Sequence, residues 1–245
     1  MKVKWVLLAI IASFFAGRAA MAGTIVLTFS QFGVIPSSVA NEPVLNFYDG
    51  GYAGNGTASC GYSVCGPGPN YGITFESNAL AITSKADGGN GNFDSVLGQN
   101  SLFFLVGTGD IMNVKGGFMK GFSFDYSSPF YTGSVTVWSG PDATGTELAD
   151  LVLPKTPLGT TYGKPCSTSL DYCPFEAFGV TFSGTADSVD FSGTANHIGF
   201  QNITLGSSTP GKSTTPPTTT PEPASLLLLG TGLLALAAKL RLRHA

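Results

Sequence analysis

The sequence predicts an all-β fold: an antiparallel β-sandwich, jelly-roll-like, followed by a C-terminal hydrophobic helix. Three observations predict it. Short β-rich runs alternate with loops of Gly, Asn, Ser and Pro, and no helical period persists for three turns. Several runs carry apolar residues on one parity only, as a half-buried antiparallel sheet requires. The chain then ends in a Leu-rich apolar run, Ala224 to Ala238, closed by basic residues.

Strands are expected at 24–29, 44–48, 73–75, 79–84, 102–106, 111–114, 117–126, 133–139, 147–153, 178–182, 188–192 and 197–205. In 117–126, Phe118, Phe122, Phe124 and Tyr126 take one face while Ser123 and Asp125 take the other. Val135 and Val137 are set against Thr136 and Trp138 in the same way, and Val189 and Phe191 repeat the pattern. The last run breaks its own alternation: Ile198 and Phe200 share one parity, Ile203 and Leu205 the other. The slip falls at Gln201-Asn202 and predicts a β-bulge. This many strands without a long helix point to two stacked sheets.

Both ends read as processing segments. Lys2 and Lys4 precede an apolar run from Trp5 to Ala16, then Gly17, Arg18 and the small-residue pattern Ala20-Met21-Ala22. Residues 1–22 therefore resemble a secretory signal peptide cleaved after Ala22. The apolar run falls short of the ~20 residues needed to span a bilayer. The ectodomain is residues 23–206, and 207–220 form a Ser/Thr/Pro-rich stem with one charge, Lys212. Residues 221–245 hold Pro221-Glu222-Pro223, a charge-free run from Ala224 to Ala238, and the basic Lys239, Arg241 and Arg243. As a helix the charge-free run measures roughly 22 Å against a hydrocarbon core of ~30 Å. Snorkelling basic side chains extend a transmembrane helix to about 224–242 and keep its basic end cytoplasmic.

Charge excludes one class of function. Residues 23–220 hold six lysines against fourteen acids and no arginine, a net charge of −8. Without arginine's fork to grip phosphates, no nucleic-acid partner is expected. All four cysteines, Cys60, Cys65, Cys166 and Cys173, lie in this segment and predict two disulfides in an oxidising compartment. Three connectivities are open; the local pairs Cys60–Cys65 and Cys166–Cys173 are favoured because short loops close first. A four-cysteine zinc site is the competing reading, but C-x4-C with C-x6-C is loose spacing for one.

The tail, TPEPASLLLLGTGLLALAAKLRLR, resembles the PEP-CTERM sorting signal in its triplet (Pro221, Glu222, Pro223), its apolar helix and its basic cluster (Lys239, Arg241, Arg243). The resemblance implies an exosortase as partner. It also implies transient anchoring in the inner membrane, cleavage near the start of the helix, and delivery to the cell surface or extracellular matrix. The same tail also occurs as the C-terminal region of certain ice-binding proteins, but the domain has no ladder of Thr-x-Thr on successive strands. More distantly, NFYDGG (46–51), GPNYGITFESNAL (68–80) and HIGFQNITLG (197–206) resemble Gly-rich domains found ahead of such tails. That likeness implies architecture rather than chemistry.

No catalytic constellation assembles, and the domain is expected not to be an enzyme. It holds one histidine, His197, and no G-x-S-x-G elbow. Carboxylate pairs such as Asp187/Asp190 and Asp142/Glu147 could serve a glycoside-active site, but sequence spacing cannot place them across a cleft. No cofactor is required. The loop Asp87-Gly-Gly-Asn90-Gly-Asn92-Phe-Asp94 offers oxygens that Ca2+ would take, although it also reads as a plain Gly/Asn turn. A sugar ligand would use exposed aromatics. The candidates are Trp138, opposite in parity to Val135 and Val137, and Tyr52, Tyr62 and Tyr71 in the Gly-rich region. The expected function is a structural or adhesive role at the cell surface or in the matrix. The alternative is a carbohydrate-binding module of the extracellular polysaccharide, and a glycoside-active enzyme ranks third.

Overall fold

The computed structural model describes residues 23–54, 66–94 and 100–211. The signal-peptide segment, Cys60, Tyr62 and Cys65, and the stem and tail beyond 211 lie outside the described residues, including the sorting triplet and the helix expected at 224–242. Among the described residues no helix is long and apolar enough to cross a membrane.

The described strands are β1 (Ile25–Leu27), β2 (Glu42–Pro43), β3 (Ile73–Phe75), β4 (Leu80–Ile82), β5 (Ser101–Phe103) and β6 (Gly109–Phe118). They continue with β7 (Gly121–Ser127), β8 (Gly133–Gly140), β9 (Thr144–Leu153), β10 (Glu176–Thr181), β11 (Ala186–Ser192) and β12 (Gly199–Leu205). One four-residue helix, α1 (Gly159–Tyr162), lies between β9 and β10. The strands form two antiparallel sheets. The first runs β10-β7-β12-β5-β4-β2, with β1 also paired to β12; the second runs β3-β6-β11-β8-β9.

The apolar parities read from the sequence all point into one shared core. Phe122, Phe124 and Phe200 of the first sheet meet Phe191 of the second, with ring centroids 5.0–6.5 Å apart. Val135, Val137 and Val189 are fully buried in the same cluster. Truncating any of these phenylalanines to alanine would cost about 3–5 kcal/mol.

The bulge is where the parity slip places it. Pairing of β12 with β7 shifts between Gln201 and Thr204, and Asn202 takes the left-handed conformation at φ 48°. Asn202 Nδ2 donates to Asp125 Oδ2 at 2.6 Å. The offset lets β12 pair with β5 at Phe200 and with β1 at Ile203–Leu205.

Two expectations are corrected. The run 44–48 is a series of turns rather than a strand. Phe47 N donates to Val44 O, and both Asp49 N and Gly51 N donate to Asn46 O. The Asn46 and Asp49-Gly50 turn chemistry outweighs the apolar run, whose Phe47 and Tyr48 still reach the core. The run 117–126 is two strands in different sheets. The chain crosses over at Met119-Lys120, where Lys120 has φ 78°, and Phe118 and Phe122 stay on the core side of the crossing.

Candidate functional site

Strands β4 and β5 are buried on both faces, which demands a second layer outside the first sheet. The inward residues Leu102 and Phe104 enter the main core, whereas Leu80, Ile82 and Phe103 form a separate outer cluster with Phe93 and Tyr172. The covering layer is two loop segments. Phe93 and Tyr172 form an isolated parallel bridge, and Asp94 N donates to Tyr172 O at 3.0 Å. Asp94, itself buried, accepts from Ser167 N at 2.6 Å, and Asn92 Nδ2 donates to Asp171 Oδ2 at 3.2 Å. The Cys166–Cys173 disulfide closes the second segment, as the local pairing expects. Gly199 of β12 passes directly under the Phe93 ring, where a β-carbon would collide with it.

The two layers leave a groove of about 600 Å³. Its floor is Phe93, Phe103 and Tyr172, nearly closed to solvent. Its polar edges are Asn41, Lys85, Asn90, Asn92, Asp171 and Asn196. Its open wall is Phe130, 38% exposed, beside Leu105 at 43%. Phe130 and the neighbouring Tyr131, 46% exposed, both pack edge-on against His197, at 5.9 and 4.8 Å between centroids.

This wall is held in place from beneath. The Tyr172 hydroxyl lies 2.7 Å from His197 Nδ1 and 3.2 Å from Asn196 O. Burial pushes the Tyr172 hydroxyl up to about 12, with the nearby Asp171 charge adding to it, so Tyr172 remains a neutral phenol at physiological pH. Buried Ser128 Oγ lies 2.7 Å from Tyr131 O and 3.0 Å from His197 O. Ser128 N donates to Thr156 Oγ1 at 3.0 Å, and Thr156 N donates back to Ser128 O at 3.1 Å. The aromatic pair is thus presented on a fixed loop, which lowers the ordering cost of binding.

The residues singled out by sequence separate. Asn90 and Asn92 reach the groove. Asp87 is exposed at the end of a 3-10 turn, and Asp94 anchors the covering loop. Among the described residues no group of three or more His, Cys, Asp or Glu is arranged to hold a metal ion. Tyr71 corrects its expectation as a groove-flanking ring. It is buried in the main core, stacked on Tyr48 at 6.2 Å, and its backbone N–H bonds to Tyr48 O. Tyr52 is half-buried beside Gly66. Trp138 lies on β8 of the second sheet, paired across to Ser188 and Glu147, with its indole N–H covered; it does not line the groove. Of the carboxylate pairs, Asp142 accepts from Asn113 Nδ2 in the β8–β9 turn, and Asp190 accepts from Ser192 Oγ. A second concavity of about 580 Å³, between Thr74, Asn113, Lys115 and Asp187, has no aromatic lining on which a ring could stack.

Removing the disulfide tests the covering layer. Replacing Cys166 and Cys173 with serine should lower stability by about 2–2.5 kcal/mol on the loop-entropy account. It should also raise hydrogen exchange in 166–175 more than in β7 or β11, as measured amide by amide.

Comparison with known proteins places the tail. The family description of the PEP-CTERM protein-sorting motif matches residues 219–243. The chain therefore carries an exosortase sorting signal and is an exported protein sorted to the surface by that route. A search of curated proteins finds no match. Among solved structures, one similar chain is a glycoside hydrolase family 43 arabinoxylan arabinofuranohydrolase from Bacillus subtilis. It shows 20% identity and a TM-score of 0.33, covering 54% of this chain and 26% of that one. A family 29 carbohydrate-binding module from Piromyces equi shows 11% identity and a TM-score of 0.34, covering 58% of this chain and 83% of that one. The catalytic domain of a family 87 α-1,3-glucanase shows 14% identity and a TM-score of 0.31, covering 85% and 31%. The chain spans about a quarter of the length of the first of these. At such TM-scores the likenesses carry no functional argument.

Proposed function

We propose that this is a cell-surface or extracellular-matrix protein that holds polysaccharide without cleaving it, through the groove beside Phe130. The carrying observation is the exposed pair Phe130 and Tyr131, fixed on His197 and Tyr172, at the edge of a groove lined with side-chain amides. Sugar rings stack their C–H faces on aromatic rings and offer hydroxyls to amides, and concave sites mixing the two fit such ligands. The role is adhesive: a jelly-roll-like sandwich carried on the Thr-rich stem, anchored in the inner membrane until an exosortase cuts near Pro223. Neither a cofactor nor a nucleic-acid partner enters this reading.

Retardation of the mature protein in gels containing the host's own extracellular polysaccharide tests the binding reading. Retardation is the expected result. Unchanged mobility, or release of reducing sugar from the polysaccharide, contradicts the reading.

Processing has its own test. The intact mass of protein recovered from the host's surface and medium should run from near Gly23 to near Pro223. It should rise on reduction by the hydrogens of two disulfides. A mass that still includes the Leu-rich tail would make the protein a permanent membrane anchor.

A further inference from the structure

We infer that the groove selects an uncharged glycan, recognised along its chain, over an acidic polysaccharide; this rests on the binding reading above. The charge of the lining carries the argument. Its edges present one cation, Lys85, and one anion, Asp171, against four asparagines, Asn41, Asn90, Asn92 and Asn196. The segment 23–220 is otherwise acidic and holds no arginine. A uronic acid chain would bring repeated carboxylates to a surface that repels them and lacks the bidentate donor that would hold them.

Side-chain amides suit the opposite case. Each offers a carbonyl acceptor and an N–H donor, matching the paired donor and acceptor roles of neighbouring sugar hydroxyls. Asp171 already accepts from Asn92, which spends part of its charge on holding the edge. The groove volume of about 600 Å³ exceeds what a single pyranose ring fills. The ligand is therefore a run of sugars laid against Phe130 and Leu105, both partly exposed at its wall.

The test is calorimetric titration of the mature protein with neutral hexose oligosaccharides and with oligo-uronates of equal length, each at low and high salt. Neutral chains should bind at least about 10-fold more tightly than uronates, and salt should change their affinity by less than about 2-fold. Uronates that bind as well or better, weaken in salt and lose about 10-fold or more with Lys85→Ala would overturn the substrate class while keeping the groove. Neutral chains that bind wild type and Phe130→Ala equally would overturn the groove itself. Thermal midpoints of both variants, measured alongside, establish that each is folded.

Discussion

Phe130→Ala is expected to weaken polysaccharide binding by roughly 10- to 30-fold, the effect of removing an aromatic anchor worth about 2 kcal/mol. The ring is 38% exposed and stands at the wall of the groove, packed edge-on against Tyr172 and His197. Its loss should therefore leave the thermal midpoint within a few degrees of wild type. Phe130→Tyr keeps the stacking face and should keep most of the affinity. Trp138→Ala is the control on the second sheet, and its binding should match wild type. If Trp138→Ala loses binding and Phe130→Ala does not, the ligand lies on the outer face of β8, and the groove has been misassigned.

Asp110→Asn should stabilise the domain at neutral pH and flatten its pH dependence. Asp110 lies on β6 with its carboxyl buried and, among the described residues, no cation beside it to balance its charge. Burial pushes its pKa up to about 8. The charge of Glu76 adds to the rise, as does that of Asp190, and the backbone amides of Ile111 and Ala79 offset it only in part. In the unfolded chain the same group titrates near 4. Between these values the native state holds a proton that the unfolded state has released, so stability falls as pH rises from about 4 to about 8 and levels beyond.

The cost at neutral pH is on the order of several kcal/mol, and asparagine removes the ionisation behind it. A gain of about 1–3 kcal/mol at pH 7 is the expected outcome, with the two proteins converging towards pH 4. Burial also raises the pKa of Glu42, Asp125 and Asp190, so the whole domain should gain stability in mild acid. Thermal melts across pH 4–9 would show it. An Asp110→Asn variant that melts lower than wild type at pH 7, or one with an undiminished pH slope, would contradict this account.

Local pattern made most of the fold readable. The parities of Val135/Val137, of Val189/Phe191 and of the phenylalanines around 118–126 each identify a core face, because a half-buried strand writes its burial into alternate residues. The phase slip at Gln201-Asn202 locates a bulge for the same reason. What local pattern misses is the point at which a strand changes sheet. Phe118 and Phe122 keep one parity through the crossover at Met119-Lys120, because both sheets share the core.

The groove is less legible because its parts come from six separate stretches of chain. Phe93, Phe103, Phe130, Tyr172 and His197 meet only after β4 and β5 are covered. Asn90 and Asn92, which the sequence offers as oxygen donors to a cation, lie at its edge. One signal was available. Leu102-Phe103-Phe104-Leu105 is apolar at four consecutive positions, and Leu80-Ala81-Ile82 at three, so both faces of these strands had to be covered. An outer layer over that sheet followed from this, but its aromatic wall did not. The sorting signal, by contrast, is contiguous and independent of tertiary structure, so triplet, apolar run and basic cluster are legible together in residues 219–243.

The most direct test of the central claim is a heteronuclear NMR titration of the isotope-labelled mature protein with fragments of the host's extracellular polysaccharide. The account predicts shifts concentrated in the side-chain amides of Asn90, Asn92 and Asn196 and in the backbone of 128–132, with the second sheet around Trp138 silent. Shifts centred on β8 and β9, or no saturable shifts with any fragment, would contradict it.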